Sequence, residues 1–354
     1  MNSEHKNILV APLNWGLGHA TRCIPIIQNL EKAGFKPIIA SDGIALQLLK
    51  LEFPHLPFLE LPSYSIKYPK KGKNFRWKMV SNLPNMILAV AKERKLVKKW
   101  VDEYQLSGII SDNRLGVFNK NVPSVFMTHQ LNVLTGSTTY FSTKIHQEFI
   151  DKFTECWVPD VDEEQNLSGK LGHLDFIDSR IKYIGPLSRF RKMDSEIKYD
   201  LLVLLSGPEP QRTFLEEKLI SELKNYAGKV VFVKGIVTEK QEVLQSENIL
   251  FYNFMQSDEL EKLFNESQLV LCRSGYTTVM DLAKLGKKAF FIPTPGQFEQ
   301  EYLAEKFQED GLVPFCNQED FSIEKLKEVQ NFKGLSNFER ELDWQKLFSL
   351  FERE

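Results

Sequence analysis

The sequence predicts an α/β protein of two Rossmann-like, doubly wound domains facing a cleft, with a closing C-terminal helix. Three observations carry this. The chain has 354 residues, and at roughly 150 residues per domain that length suggests two domains. In both halves, short apolar runs alternate with helical stretches, the pattern of parallel sheets covered on both faces. A charged stretch, residues 189–198, separates the two runs of this pattern.

The elements follow in order. Residues 7–12 (NILVAP) form an apolar run, NWGLGH a Gly-rich loop, and residues 20–32 a helix with apolar residues at helical spacing that ends at Gly34. KPIIAS (36–41), LSGIIS (106–111) and PSVFMT (123–128) supply further buried strands. After the charged stretch, residues 201–205, 229–233, 249–252, 269–272 and 288–293 read as strands. Helices are expected over 258–265 and 277–285, the latter stopped by Gly286. In the tail, Phe338, Leu342, Leu347, Leu350 and Phe351 suit an amphipathic helix. The expected divisions are 1–185, 186–335 and a helix over 336–354.

Composition narrows the function classes. Forty-five Lys and Arg against 47 Asp and Glu give a net charge of −2, so global electrostatics offers no case for nucleic-acid binding. The four cysteines, Cys23, Cys156, Cys272 and Cys316, form no C-x-x-C motif, and a reducing cytosol fits them. The polar start MNSEHKN lacks the form of a signal peptide, and no apolar run approaches the roughly 20 residues of a membrane span. A cytoplasmic protein is expected.

Candidate chemistry lies in the loops that follow the strands. Gly16 and Gly18 let the first loop turn sharply before a helix N-terminus, which favours anions. A third glycine of the dinucleotide fingerprint is missing, because Arg22 and Cys23 occupy that neighbourhood. His19 suits a general base, or equally a helix cap. Asp112 can orient a base or bind a hydroxyl, or cap a helix. His129, Gln130 and Asn132 in THQLN suit substrate hydroxyls, or plain loop polarity.

In the second half, SGPEPQR offers Ser206 and Arg212 to a phosphate, with a plain turn as the competing reading. In CRSGYTTVMD, Gly275 allows close approach of a ligand, and the helix start aims Thr277 and Thr278 at a diphosphate. Asp281 lies one to two turns further, where a carboxylate can take two ribose hydroxyls. Gln297 and Gln300, in PGQFEQ, suit sugar hydroxyls.

The ordered set GLGHATR, THQLN, NFMQSDELEKLF, CRSGYTTVMDLAKLGKKAFFIP and PGQFEQ resembles the GT-B glycosyltransferases, most closely those of family 28 related to MurG. The resemblance implies an N-terminal acceptor-binding domain, a C-terminal nucleotide-sugar-binding domain, and inverting, metal-independent transfer from a UDP-sugar co-substrate with no further cofactor. It implies that the backbone at Phe254 and Met255 holds uracil, that Ser274, Gly275 and Thr277 lie by the diphosphate, and that Asp281 takes the ribose. Gln300 would then contact the donor sugar and His19 would act as base assisted by Asp112. Arg273 and the helix starting near Gly275 would stabilise the departing UDP. The chain departs from the family in having only two glycines in its first loop, the shorter Asp281, Gln300-Glu301 in place of paired glutamines, and SGPEPQR in place of a GGSQG-type loop.

Residues 67–99 hold eleven Lys or Arg and one acidic residue, Glu93, a net +10 interleaved with apolar side chains. Such a surface suits anionic lipid and hence a lipid-linked acceptor on the inner face of the plasma membrane. A solvated helix face is the other reading. Competing functions are a UDP-sugar 2-epimerase, which shares the two-domain fold, and a non-catalytic nucleotide-sugar-binding protein.

Overall fold

The computed structural model of the chain describes residues 6–64, 75–133, 139–174, 178–336, 338 and 342–352. It divides into two compact units: the first holds the chain up to Leu187 apart from residues 67–78 and takes back the C-terminal segment, and the second holds residues 67–78 and Ser188–Glu339. Residues 67–74 of the basic stretch lie outside the described residues.

The first unit is built on β1 (Asn7–Pro12), β2 (Lys36–Ser41), β3 (Phe58–Glu60), β4 (Leu106–Asp112), β5 (Ser124–Met127), β6 (Glu155–Val158) and β7 (Ile181–Tyr183). They form one parallel sheet in the order β3-β2-β1-β4-β5-β6-β7. Helices α1 (Gly18–Lys32), α2 (Gly43–Glu52), α3 (Phe75–Glu103) and α4 (Thr139–Ile150) connect the strands. The sheet order reverses between β1 and β4, so the loops at their carboxyl ends diverge and leave room for a ligand. On one face, Val97 and Trp100 of α3 pack with Leu9, Ala11, Ile38, Ala40 and Ile109.

Arg114 anchors that corner. Its buried guanidinium pairs with Asp42, donates to Glu93 Oε1 at 2.7 Å and donates to the Pro12 carbonyl at 3.0 Å. Glu93 also accepts from the Tyr64 hydroxyl at 2.8 Å and the Gly116 N–H at 3.0 Å. The single acidic residue of the basic stretch therefore faces inward, as the counter-ion of a buried cation.

The second unit holds β8 (Tyr199–Leu204), β9 (Val230–Val233), β10 (Val243–Ser246), β11 (Ile249–Tyr252), β12 (Ser267–Cys272) and β13 (Lys288–Phe291). Their order is β10-β11-β9-β8-β12-β13, parallel except for the β10–β11 hairpin. Helices α5 (Gln211–Leu223), α6 (Ser257–Glu266), α7 (Tyr276–Leu285) and α8 (Phe298–Glu309) follow β8, β11, β12 and β13. Order reverses between β9 and β12 around β8. The core joins Leu201, Val203, Leu219, Phe232, Leu271 and Phe290.

The tail differs from the expected single helix. Among the described residues it forms a five-residue α9 (Trp344–Phe348) and a 3-10 turn, Ser349–Phe351. Phe348 and Phe351 pack edge-on against Phe35, at 6.0 and 6.4 Å between ring centroids, and Phe351 meets Trp157 at 6.1 Å. A Cβ on Gly108 would collide with the Phe351 ring. The tail's apolar residues thus lock individual aromatic rings into the first unit, which a long helical stripe is not needed to do.

Candidate active site

The carboxyl ends of β1, β4 and β5 bring together four polar side chains. Pro12 and Asp112 are register partners at the ends of β1 and β4, and the Leu13 N–H donates to the Asp112 carbonyl at 2.9 Å. The chain then leaves the sheet through Gly16, whose φ of +77° favours glycine, and enters α1 at Gly18. One turn of α1 places His19 and Arg22 on the same face, three residues apart. His19 Nδ1 lies 3.0 Å from Asp112 Oδ1, and the imidazole keeps 12% of its surface accessible. Arg22 holds both carboxylate oxygens of Asp112, with Nε donating to Oδ2 at 2.7 Å and Nη2 to Oδ1. Its Nη1 meets His129 Nδ1 at 2.8 Å.

Electrostatics follow from this packing. Burial raises the Asp112 pKa, but Arg22 first and His19 second more than offset it and hold the carboxyl at about 2. Burial lowers the pKa of His19, and Arg22 and His129 add to that against the opposing pull of Asp112. The site at neutral pH is therefore a neutral imidazole beside an ionised, neutralised carboxylate, which is what a resting general base requires.

The remaining residues of THQLN divide. Gln130 is half-buried beside His129, its N–H donating to Thr128 Oγ1 at 3.0 Å. Asn132 is tied into the fold: its amide donates to the carbonyls of Lys170 at 2.7 Å and His173 at 2.9 Å, which occupies both of its N–H bonds.

In the second unit, Ser274, Gly275, Gln297 and Gln300 gather where β12 and β13 end. Ser274 Oγ donates to the Gln300 carbonyl at 2.7 Å, and Gln300 Oε1 accepts from the Thr294 N–H at 2.8 Å. The Gln300 amide nitrogen lies 3.9 Å from where a Cβ on Gly275 would sit. Gly275 is the N-cap of α7 and Gln297 that of α8, and neither helix has a side-chain cap. Thr277 is in the first turn of α7. The Ser206–Gly207 loop abuts the same region, since a Cβ on Gly207 would lie 3.7 Å from Thr294 Oγ1.

Two expected phosphate cations have partners within the unit. Arg212 is neutralised by Glu209 and by Glu216 Oε2 at 2.6 Å. Arg273 is buried, and its guanidinium donates to the carbonyls of Ile292, Pro293 and Gln211 at 3.1, 3.0 and 2.9 Å and to Gln318 at 2.7 Å. It ties α5 to the end of β13. The backbone at Phe254 is also engaged, its N–H by Asn253 Oδ1 at 2.9 Å and its carbonyl by Gln241 at 3.2 Å. Met255 adjoins it, partly exposed.

Asp281 has a structural partner that the sequence did not suggest: its Oδ1 accepts from the Ser188 hydroxyl at 2.7 Å. Burial raises its pKa to about 6 against the opposing effects of Arg189 and Ser188. A carboxyl whose folded pKa exceeds its unfolded value near 3.9 favours the folded state most at low pH, and that favour is lost as pH rises from about 4 through 6. Asp281→Asn, which keeps the acceptor for Ser188, is therefore expected to stabilise the protein by up to about 3 kcal/mol above pH 7. The gain should vanish near pH 4. Urea unfolding at both pH values checks this, and equal or lower stability of the variant at pH 7.5 would contradict it.

Sequence reading named His19, Asp112 and His129 but passed over Arg22 and Ser188. The signal for Arg22 was available: a basic residue three positions after His19 shares its helix face. No local signal marks Ser188, which meets Asp281 across 93 residues of sequence. Among the described residues no group of three or more His, Cys, Asp or Glu side chains could hold a metal ion. No helix among them is long and apolar enough to cross a membrane.

Comparison with known proteins agrees with this architecture. Residues 211–334 match the glycosyltransferase family 28 C-terminal domain. The chain is 24% identical over 325 residues to the UDP-N-acetylglucosamine--N-acetylmuramyl-(pentapeptide) pyrophosphoryl-undecaprenol N-acetylglucosamine transferase of Haemophilus ducreyi, covering 88% of this chain and 85% of the relative. It is 26% identical over 367 residues to the enzyme of that name from Histophilus somni, covering 99% and 93%. Among solved structures, MurG of Acinetobacter baumannii aligns over 98% of this chain and 99% of its own at a TM-score of 0.55 and 14% identity. The spinosyn rhamnosyltransferase SpnG aligns over 98% and 95% at 0.61 and 13%. These similarities favour sugar transfer over the 2-epimerase reading, and with the two parallel-sheet domains they support a MurG-like, family 28 glycosyltransferase of the GT-B fold.

Proposed function

We propose that this glycosyltransferase moves an N-acetylhexosamine or hexose from a UDP-sugar to a hydroxyl of a lipid-linked acceptor, with inversion at the anomeric carbon. The observation that carries the reading is the His19–Asp112 pair at the point where the order of the first sheet reverses. With its Nδ1 proton on Asp112, His19 presents a lone pair on Nε2, which removes the acceptor proton as the hydroxyl attacks C1. The C1–O bond to the diphosphate breaks, and UDP leaves with the bonding electrons. The amide dipoles at the N-terminus of α7, at Gly275, are proposed to offset that charge. Ser206, Ser274, Thr277, Gln297 and Gln300 are proposed donor contacts, with Asp281 exchanging Ser188 for the ribose and Met255 beside the base. Gly16, Gly18, His129 and Gln130 are proposed to line the acceptor site, where the uncapped start of α1 suits a phosphate.

The protein is proposed to act at the cytoplasmic face of the membrane. On α3, Ile87 and Leu88 are 67% and 60% exposed beside exposed Lys92, Arg94, Lys95, Lys98 and Lys99. This pattern fits shallow insertion into anionic lipid. Two experiments test the donor and the lipid contact. Thermal shifts with uridine, adenine and thymidine nucleotides are expected to show a uridine-specific rise, equivalent to about 2.7 kcal/mol at a hundredfold excess over Kd. Radiolabelled UDP-sugar should then label a polyprenyl-diphosphate acceptor in anionic vesicles and fail to do so in neutral ones. No nucleotide shift would refute the donor class, and equal labelling in both vesicles would refute the lipid contact.

A further inference from the structure

We propose that Arg22 is a positioning residue that fixes His19 and His129 in opposite tautomers and sets the charge of the His19 site. The proposal rests on His19 as the base, and it concerns a residue that makes no direct contact with the reacting atoms.

The geometry carries it. Arg22 is 1% exposed, Asp112 is fully buried, and the guanidinium grips both carboxylate oxygens. An arginine only donates. Its Nη1, 2.8 Å from His129 Nδ1, therefore requires a lone pair there, which puts the His129 proton on Nε2. At His19 the demand is reversed. Nδ1 lies 3.0 Å from the anionic Asp112 Oδ1 and 2.9 Å from Arg22 Nη2. The carboxylate and the guanidinium cannot both bond the same nitrogen in one protonation state. In a buried site the charged acceptor takes the Nδ1 proton, and Nη2 donates one of its two hydrogens to the same Oδ1. His19 is thereby left as an acceptor on Nε2 and His129 as a donor on Nε2, a complementary pair one residue's reach from a single guanidinium.

Charge follows from the same contacts. The groups facing His19 are Arg22 from α1, Asp112 from β4 and His129 after β5, with Cys23 Sγ 3.7 Å behind Asp112 Oδ2. A bare His–Asp pair would draw a proton onto the imidazole. Here Arg22 already cancels the carboxylate, so protonating His19 leaves a net positive charge in a buried site, next to a guanidinium. The neutral, competent base then persists at lower pH than an isolated pair would allow.

Histidine titration by side-chain 15N NMR tests this on the free protein, with His19→Gln and His129→Gln used to assign the signals. In the wild type, His19 is expected as the Nδ1–H tautomer with a midpoint below about 6.5, and His129 as the Nε2–H tautomer. Arg22→Gln should raise the His19 midpoint by about one pH unit or more, move the acid limb of kcat the same way and release the His129 tautomer. Arg22→Lys, which keeps the charge, should leave the midpoint near that of the wild type. A wild-type midpoint above about 6.5, or matching tautomers at the two histidines, overturns the proposal even if every Arg22 variant fails to fold. Wild-type tautomers as expected, in a protein that transfers no sugar after His19→Gln or before it, would instead sink the functional reading and leave the role of Arg22 standing.

Discussion

His19→Ala is expected to lower kcat by about 10²- to 10⁴-fold with little change in KM for the donor, because it removes the proton acceptor from a step in which the acceptor hydroxyl must lose its proton. The imidazole touches α1 and Asp112 and supports no apolar core, so the fold should survive the change. Asp112→Asn should cost less. The amide can still accept from Nδ1–H, but it no longer balances Arg22, and the imidazole loses its orienting charge. A steady-state comparison of both variants with wild type, at saturating donor and acceptor, measures the effect. Wild-type turnover by His19→Ala would mean that the proton leaves by another route and that the dyad is structural.

The second large effect is on stability. Arg114→Met is expected to destabilise the first unit by about 3–5 kcal/mol, because it strands the buried carboxylates of Asp42 and Glu93 without their counter-ion. Burial already raises the Glu93 pKa, opposed by Arg114, Tyr64 and the Gly116 N–H. A folded-state pKa above the unfolded value means that protonation favours the folded form, so the penalty in the variant should shrink as pH falls and grow as pH rises. Adding Glu93→Gln to Arg114→Met should recover part of the loss. Urea melts at pH 5 and pH 8 read both signs. A loss below about 1 kcal/mol at pH 8 would place Arg114 among surface-like pairs instead.

Much of the molecule was legible in the chain itself, and the reason differs by element. β1 and β2 match their apolar runs residue for residue, since a strand buried on both faces is predominantly apolar. The three-residue strands β3 and β7 carry no such pattern, being defined by their pairing with β2 and β6 alone. Position after a strand was enough to single out His19, Asp112 and His129. The partners of the cations were not legible in the same way. Beside the expected phosphate loops, Arg212 pairs with Glu209 and Glu216, and Arg273 donates to a set of carbonyls.

By itself, then, the sequence determined the succession of strands and helices and the loops where polar side chains collect, because hydrophobic periodicity and turn chemistry are local. Tertiary structure alone decided which charges meet. Arg22 with Asp112, Arg114 with Glu93 and Asp42, and Ser188 with Asp281 join residues 90, 21, 72 and 93 positions apart. A buried charge must find a partner wherever the fold offers one, and no local pattern records that choice.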